Sequence, residues 1–277
     1  MTRIIVVDSC AEFNEEMLLQ NNTKRVPFFI DVNGKHLMAD PEMDIDSLIN
    51  DLKETKEVTK TAAPTPDSFY EAGKGYDEVF YVTISSKLST TYNNAYIAKT
   101  MLEEDNPNVK VHVFDSKSAA CGETLLVEMI QKGIKEDDTF EKIVSDVEAK
   151  ISDIQTVFVL EDISTLVKNG RVSKIKGFLA TKLSIFPISV GVDGEIDVRH
   201  QARGVKKALI KTIDTISEVS NLFSDKTLYI THVKNEDRAK ILKDMALVKY
   251  DFKDVKIFEA TGLSTIYANK NGLIMAF

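Results

Sequence analysis

The stretch VFYVTISSKLSTTYNNAYIAKT, Val79–Thr100, begins as a strand and ends as a helix. Its first residues are a continuous apolar run, as expected of a strand buried on both faces. After Ser89 the apolar positions Ala95, Ala98 and Leu102 recur at helical spacing, with Tyr92 one step off the stripe, so the helix is expected to start near Ser89 or Thr90. Between the two periods stand five hydroxyl residues: Ser85, Ser86, Ser89, Thr90 and Thr91. One hydroxyl suffices to cap a helix, and the surplus needs another explanation.

The same strand-to-helix alternation extends in both directions. RIIVVD at the start and VKVHVFD after Asn108 read as further buried strands. SAACGETLLVEMIQKG, expected to end at Gly133, and DTFEKIVSDVEAKISD read as amphipathic helices. RVPFFIDVNGKHLMAD carries Asn33-Gly34 between two apolar segments, the signature of a two-residue hairpin turn. DIDSLINDLKET reads as a helix, and Thr65-Pro66-Asp67 as the capped start of another. Near Asp153 the composition shifts, and a second cycle begins with IQTVFVLE. STLVKNGRVSKIKGFLATKLS is expected to be mainly helical, and IFPISVGVDGEIDVRHQA to be a hairpin through Asp193-Gly194. GVKKALIKTIDTISEV and NEDRAKILKDMAL read as helices, KTLYITHV as a strand, and DVKIFEATG and NGLIMAF as terminal strands. Alternating strands and helices define an α/β protein. The expectation is a three-layer α/β/α domain with a parallel sheet over 1–153 and an α/β domain with a mixed sheet over 154–277.

Composition narrows the function. The 277 residues are 43% hydrophobic, enough for a sizeable core, and the formal net charge is −8. That balance opposes a nucleic-acid or anionic-membrane binder, so an anionic ligand must be held by local donors. Two cysteines are too few for a disulfide framework. With no signal-like leader and no apolar run of membrane-spanning length, the expected location is the cytoplasm. The four histidines show no metal-ligand spacing, and no glycine-rich nucleotide loop is present, so neither metal nor cofactor is expected. His232 reads as a hydrogen-bonded structural histidine and Cys121 as a small buried thiol.

The hydroxyl cluster has two readings. A helix N-terminus exposes unpaired N–H groups with partial positive charge, and hydroxyls beside it suit a carboxylate or phosphate; plain capping is the alternative. A second hydroxyl-bearing stretch, KTAAPTP, lies at another strand-to-helix junction. If both junctions stand at strand C-terminal ends they share one edge of the sheet, where α/β proteins bind ligands.

The segments VVDSCAEF, TAAPTPDSF, ISSKLSTTYNNA, VFDSKSAACGE, LVKNGRVSK and RHQARGVKKAL together resemble the DegV family over essentially the whole chain. The resemblance implies a two-domain α/β protein holding a long-chain fatty acid in an apolar tunnel. It also implies, for some members, service as the non-catalytic binding subunit of a fatty-acid kinase, which presents the carboxylate to a separate ATP-binding subunit. By the same resemblance Thr61 and Ser89 bind the carboxylate, with Thr90 beside Ser89. Arg171 and Arg203 correspond to arginines near the ligand mouth and the partner surface, so Arg203 is expected to serve both. Tyr267 stands where the family usually has histidine and is expected to bind the ligand, hydrogen-bonding the carboxylate or a neighbouring hydroxyl, and Asn269-Lys270-Asn271 replaces the family's Gly-Pro-Gly. Thr61 is followed by Ala62-Ala63 instead of Ser-Gln, and Thr90 replaces the glycine after the serine. The expected function is therefore fatty-acid binding and carriage, without an activity of its own. The alternative is a phosphate-binding or phosphoryl-transfer enzyme using the same hydroxyls.

Overall fold

The computed structural model describes residues 1–18, 20–172 and 184–277. Strand β1 (Arg3–Asp8) has five of its six residues buried, as its unbroken apolar run requires. A one-turn helix α1 (Glu15–Leu18) leads to β2 (Thr23–Val26), which lies parallel to β1. Next come β3 (Phe29–Val32) and β4 (Lys35–Met38), joined by Asn33-Gly34. Those two residues have φ of 51° and 72°, the left-handed pair that a tight hairpin demands. Helix α2 (Ile45–Glu54) starts where the Asp44 carboxylate accepts from the backbone N–H of Asp46 and Ser47.

Strand β5 (Lys60–Ala62) pairs antiparallel with β3. This corrects one expectation: the KTAAPTP junction does not lie at the edge of the parallel sheet but completes a small separate sheet, ordered β4-β3-β5. Helix α3 (Pro66–Gly73) begins as the sequence suggests, with Thr65 Oγ1 accepting from Ser68 N and Pro66 in the first turn. Then follow β6 (Glu78–Thr83), α4 (Thr91–Asp105), β7 (Lys110–Asp115), α5 (Cys121–Lys135) and α6 (Phe140–Asp153). Helix α5 runs two residues beyond Gly133. That glycine serves packing, since a Cβ there would meet Ile143 Cγ1 at 2.7 Å.

The parallel sheet has the order β2-β1-β6-β7. Alternation along its strands sends Ile4, Val6, Val79 and Tyr81 toward Phe69 of α3 and Ala95, Ala98 and Leu102 of α4. Ile5, Val7, Phe80 and Val82 face the opposite way, onto Leu126 and Ile130 of α5 and Val147 of α6. Three layers result, and each fully buried aliphatic side chain contributes about 1.5–3 kcal/mol.

The second half continues with β8 (Thr156–Val159), α7 (Ser164–Lys168), β9 (Ile185–Val192), β10 (Glu195–Arg203), α8 (Val205–Val219), β11 (Thr227–His232), α9 (Glu236–Lys249), β12 (Asp254–Glu259), α10 (Gly262–Ala268) and β13 (Leu273–Ala276). Its sheet, β10-β9-β8-β13-β11-β12, is mixed: β11 and β12 run parallel and the other pairs antiparallel. Of the stretch STLVKNGRVSKIKGFLATKLS, expected to be mainly helical, α7 covers Ser164–Lys168 and positions 169–172 are turn and irregular, while 173–183 lie outside the described residues. Helix α10 is a further correction, because the sequence reading ran from one terminal strand to the next without it. Leu263 and Ile266, three apart on one face, are buried against the small sheet and Leu48 of α2.

Helix α5 packs against both sheets. Besides the parallel strands it contacts Tyr229, Phe258 and Ala276 of the mixed sheet within one core. The chain terminus is tied in as well, with Phe277 and Gln155 exchanging backbone hydrogen bonds of 3.1 Å in each direction.

Candidate functional site

Where the C-terminal end of β6, the small sheet, α10 and strands β8 to β10 approach one another, they enclose a cavity. Phe28, Ile84, Phe158, Leu160, Leu263 and Ile274 supply much of its apolar wall. The cavity holds ≈ 840 Å³ of space counting its open mouth. It is a narrow, mainly apolar slot.

One margin of the slot is polar. Thr61, Ser89 and Arg171 line both the slot and an outer groove. Thr61 sits on β5 and Tyr267 on α10, and Thr61 Oγ1 lies 2.7 Å from Tyr267 Oη. The guanidinium of Arg171 stands 5.6 Å from the centroid of the Tyr267 ring. Arg171 Nε donates to Leu88 O (3.2 Å) and Nη1 to Asn169 O (2.9 Å). These bonds fix the side chain, and its other N–H donors are unengaged among the described residues.

The five hydroxyls divide by task. Ser85 Oγ donates to Gly194 O at 2.8 Å and is fully buried. Ser86 bonds Asp115. Ser89 Oγ lies 2.7 Å from Thr91 Oγ1 and accepts from Thr91 N at 3.3 Å. Thr90 occupies the cap position of α4, but its side chain makes no capping bond; it is exposed and lines the outer groove alone. The helix therefore begins without a standard hydroxyl cap, and Ser89 is the residue of the five that borders both the slot and the groove.

The sequence-assigned residues do not all converge. Thr61, Ser89, Arg171 and Tyr267 meet at the polar margin, with Thr90 just outside it. Arg203 does not: it stands exposed at the end of β10, paired with Ile185, away from the cavity lining. His232 is buried, with Nδ1 accepting from Asn235 N, and burial lowers its pKa. Cys121 is fully buried, its thiol facing the carbonyls of Tyr229 and Ile274.

A second polar layer, not anticipated as a unit, lies behind the slot. Cys10 and Ser264 line the slot, and beyond them Asp8, Glu12 and Glu123 are fully buried. Burial pushes Asp8 up to about 6 against the N–H groups of Ile84 and Cys10, which favour its charged form. Burial likewise pushes Glu12 up to about 7, opposed by hydroxyls of Ser264 and Thr231. Glu123 rises well above its usual range through burial and then the neighbouring Asp8 charge. Both its oxygens lack a hydrogen-bond partner, and burial beside Asp8 favours the neutral acid. The ligand atoms of Asp8, Cys10 and Glu123 lie within 4.8 Å of one another. The acidic residue within the apolar helix CGETLL was the available signal for this layer.

The fold and site together define an α/β protein with an apolar slot closed by hydroxyls and one arginine. The family model described as "Uncharacterised protein, DegV family" matches residues 3–274, and the chain belongs to the DegV family. A DegV domain-containing protein of Streptococcus gordonii is 31% identical over 280 residues, covering 100% of this chain and 99% of its own. A DegV-family crystal structure from Ruminococcus gnavus, refined with vaccenic acid, superposes with a TM-score of 0.95 at 35% identity and covers 100% of both chains. The Streptococcus pneumoniae Fatty Acid Kinase (Fak) B3 protein, loaded with linoleic acid, gives a TM-score of 0.92 at 31% identity, covering 100% of this chain and 99% of its own. Among the described residues, no helix is long and apolar enough to cross a membrane.

Proposed function

We propose that this protein binds one long-chain fatty acid, its acyl chain in the slot and its carboxylate at the Thr61–Tyr267–Ser89 margin. The observation that carries this reading is a narrow apolar cavity with hydroxyls and a guanidinium gathered at one margin. In the Thr61–Tyr267 pair one O–H serves the mutual bond, which leaves the other for a carboxylate oxygen. Arg171 supplies the positive charge that the chain's net charge of −8 otherwise withholds. Each buried methylene contributes about 0.8 kcal/mol, so roughly 14 of them contribute about 11 kcal/mol before association costs. The polar contacts contribute about 1–3 kcal/mol each. The tail supplies affinity; the hydroxyls orient the head group and select an acid over a neutral lipid.

The relative loaded with linoleic acid and named for a fatty-acid kinase supports a finer reading. In it the protein is a cytoplasmic, non-catalytic carrier that presents the carboxylate to a separate ATP-dependent kinase subunit. Arg171 at the mouth, and Arg203 on the exposed end of β10, are the cations offered to that partner. The phosphoryl-transfer alternative gains no support from a lining so largely apolar.

Mass spectrometry of an organic extract of the purified protein tests the binding function. A fatty acid near one per chain is expected. A phosphorylated metabolite with no lipid would overturn the proposal. Acyl-phosphate formation with a fatty-acid kinase subunit and ATP, dependent on this protein, tests the carrier role.

A further inference from the structure

The slot has a second margin. Lys117, Thr156, Gly191 and Gly194 line both the slot and a polar hollow at the surface, where Gln155, Arg199 and Glu218 also stand. None of the residues bordering this hollow borders the groove at the Thr61–Ser89 margin. The slot therefore meets the surface region at two separate places. At the second place the partition is one residue thick, and two of its four residues have no side chain.

Those two glycines are not equivalent. Gly194 is required by the hairpin, since its φ is 83° and a Cβ would meet Ser85 Oγ at 2.3 Å. Gly191 lies in β9 without a left-handed φ, and a Cβ there would meet only the Thr156 side chain, 3.3 Å from its Cβ. Thr156 is itself drawn aside, its Oγ1 lying 2.7 Å from Ser118 Oγ. Backbone geometry thus permits a side chain at 191, and the lack of one thins the wall.

We propose that this margin is an outlet for the ω end of the bound chain, kept open by Gly191, and that the protein therefore accepts fatty acids bearing a hydroxyl at the ω carbon. The proposal rests on the fatty-acid reading above. In a sealed slot an ω-hydroxyl is a buried polar group without a partner, and it weakens binding about tenfold or more. At an outlet the same hydroxyl reaches a polar hollow and water. Methylenes beyond the outlet gain no burial, so affinity levels off with chain length instead of collapsing through overpacking.

The test is a competition titration of delipidated protein against a fluorescent fatty acid. It uses saturated acids of increasing length, each paired with its ω-hydroxy derivative. The expected result is a penalty for the ω-hydroxyl in short chains that falls below about threefold once the chain reaches the hollow. Gly191→Val is expected to restore a penalty of about tenfold for the ω-hydroxyl in those long chains, measured against the plain acid of the same length in the same variant. A penalty at every length in the wild type overturns the outlet, and this arm decides the matter even if the variant does not fold. A folded Gly191→Val that leaves the long-chain pattern unchanged overturns the role of Gly191. Loss of all plain fatty-acid binding in the wild type would instead overturn the fatty-acid reading.

Discussion

Thr61 Oγ1 and Tyr267 Oη, 206 residues apart in sequence, meet at 2.7 Å across the mouth of the slot. This bond joins the small sheet to α10, and in the proposed binding mode its two oxygens act on the carboxylate as a unit. Tyr267→Phe should weaken fatty-acid binding by about 1 kcal/mol, the usual net contribution of one such bond. Thr61→Val should do the same, and the double variant should lose less than the sum, because each single change already breaks the shared bond. Titration of the four proteins with a fluorescent fatty acid decides; strict additivity would show that the two hydroxyls bind independently.

Ser89 borders both slot and groove, whereas Thr91, its partner at 2.7 Å, is buried. Ser89→Ala is expected to weaken binding of a long-chain acid by about 1 kcal/mol and of its methyl ester by less. The fold should persist, because both bonds of Ser89 Oγ are local, to Thr91 Oγ1 and from Thr91 N at the start of α4. Equal losses for acid and ester would remove Ser89 from the head-group site.

The parallel and mixed sheets were legible because RIIVVD, EVFYVT and KTLYITH are near-continuous apolar runs, and alternation with amphipathic helices leaves few other layouts. The Asn33-Gly34 turn was legible for a local reason, its paired positive φ. Two features were not. Strand β5 has three residues, too few for a period, and its partner β3 lies some thirty positions away. Helix α10 buries Leu263 and Ile266 over only seven residues, which a strand-rich context conceals. The site followed the same division. Thr61, Ser89, Arg171 and Tyr267, named through motif resemblance, lie together at one margin of the slot, while Arg203 is not among its described lining residues. The acid layer was missed because its members come from two separated segments that only the packing of α5 on β1 brings together.

That layer predicts a pH dependence. Asp8 and Glu12 rise from 3.8 and 4.5 to about 6 and about 7 on burial, and Glu123 rises well beyond its usual value. The folded protein therefore binds more protons than the unfolded chain between about pH 4 and 7. The stabilisation is full below the unfolded values and is lost as pH rises through the folded ones, at about 1.4 kcal/mol per pH unit for each proton retained. Urea unfolding midpoints are expected to fall from pH 5 to pH 8. Glu123→Gln replaces the titrating acid with a neutral amide of the same shape, and it should flatten that fall and raise the midpoint at pH 8. A wild type equally stable at both pH values would show that these carboxyls are not held protonated.

The loop after β6 and the hairpin of the mixed sheet are joined by Ser85 Oγ, which donates to Gly194 O at 2.8 Å. Ser85 is fully buried, so Ser85→Ala removes a bond and strands a carbonyl, at a cost of about 1–3 kcal/mol. Gly194→Ala attacks the same contact from the other side. It places a Cβ at a φ of 83°, within 2.3 Å of Ser85 Oγ, and so adds backbone strain of about 1–2 kcal/mol to the clash. In the Ser85→Ala background the clashing oxygen is gone, so Gly194→Ala should cost only the strain, and the pair should be less than additive. Because Gly194 also lines the slot, the alanine variants that fold should bind fatty acid more weakly as the hairpin shifts. Urea unfolding of the four proteins, each with and without saturating fatty acid, measures both effects. Full additivity in unfolding, with unchanged binding, would show that the hairpin is held by its other contacts and not by this bond.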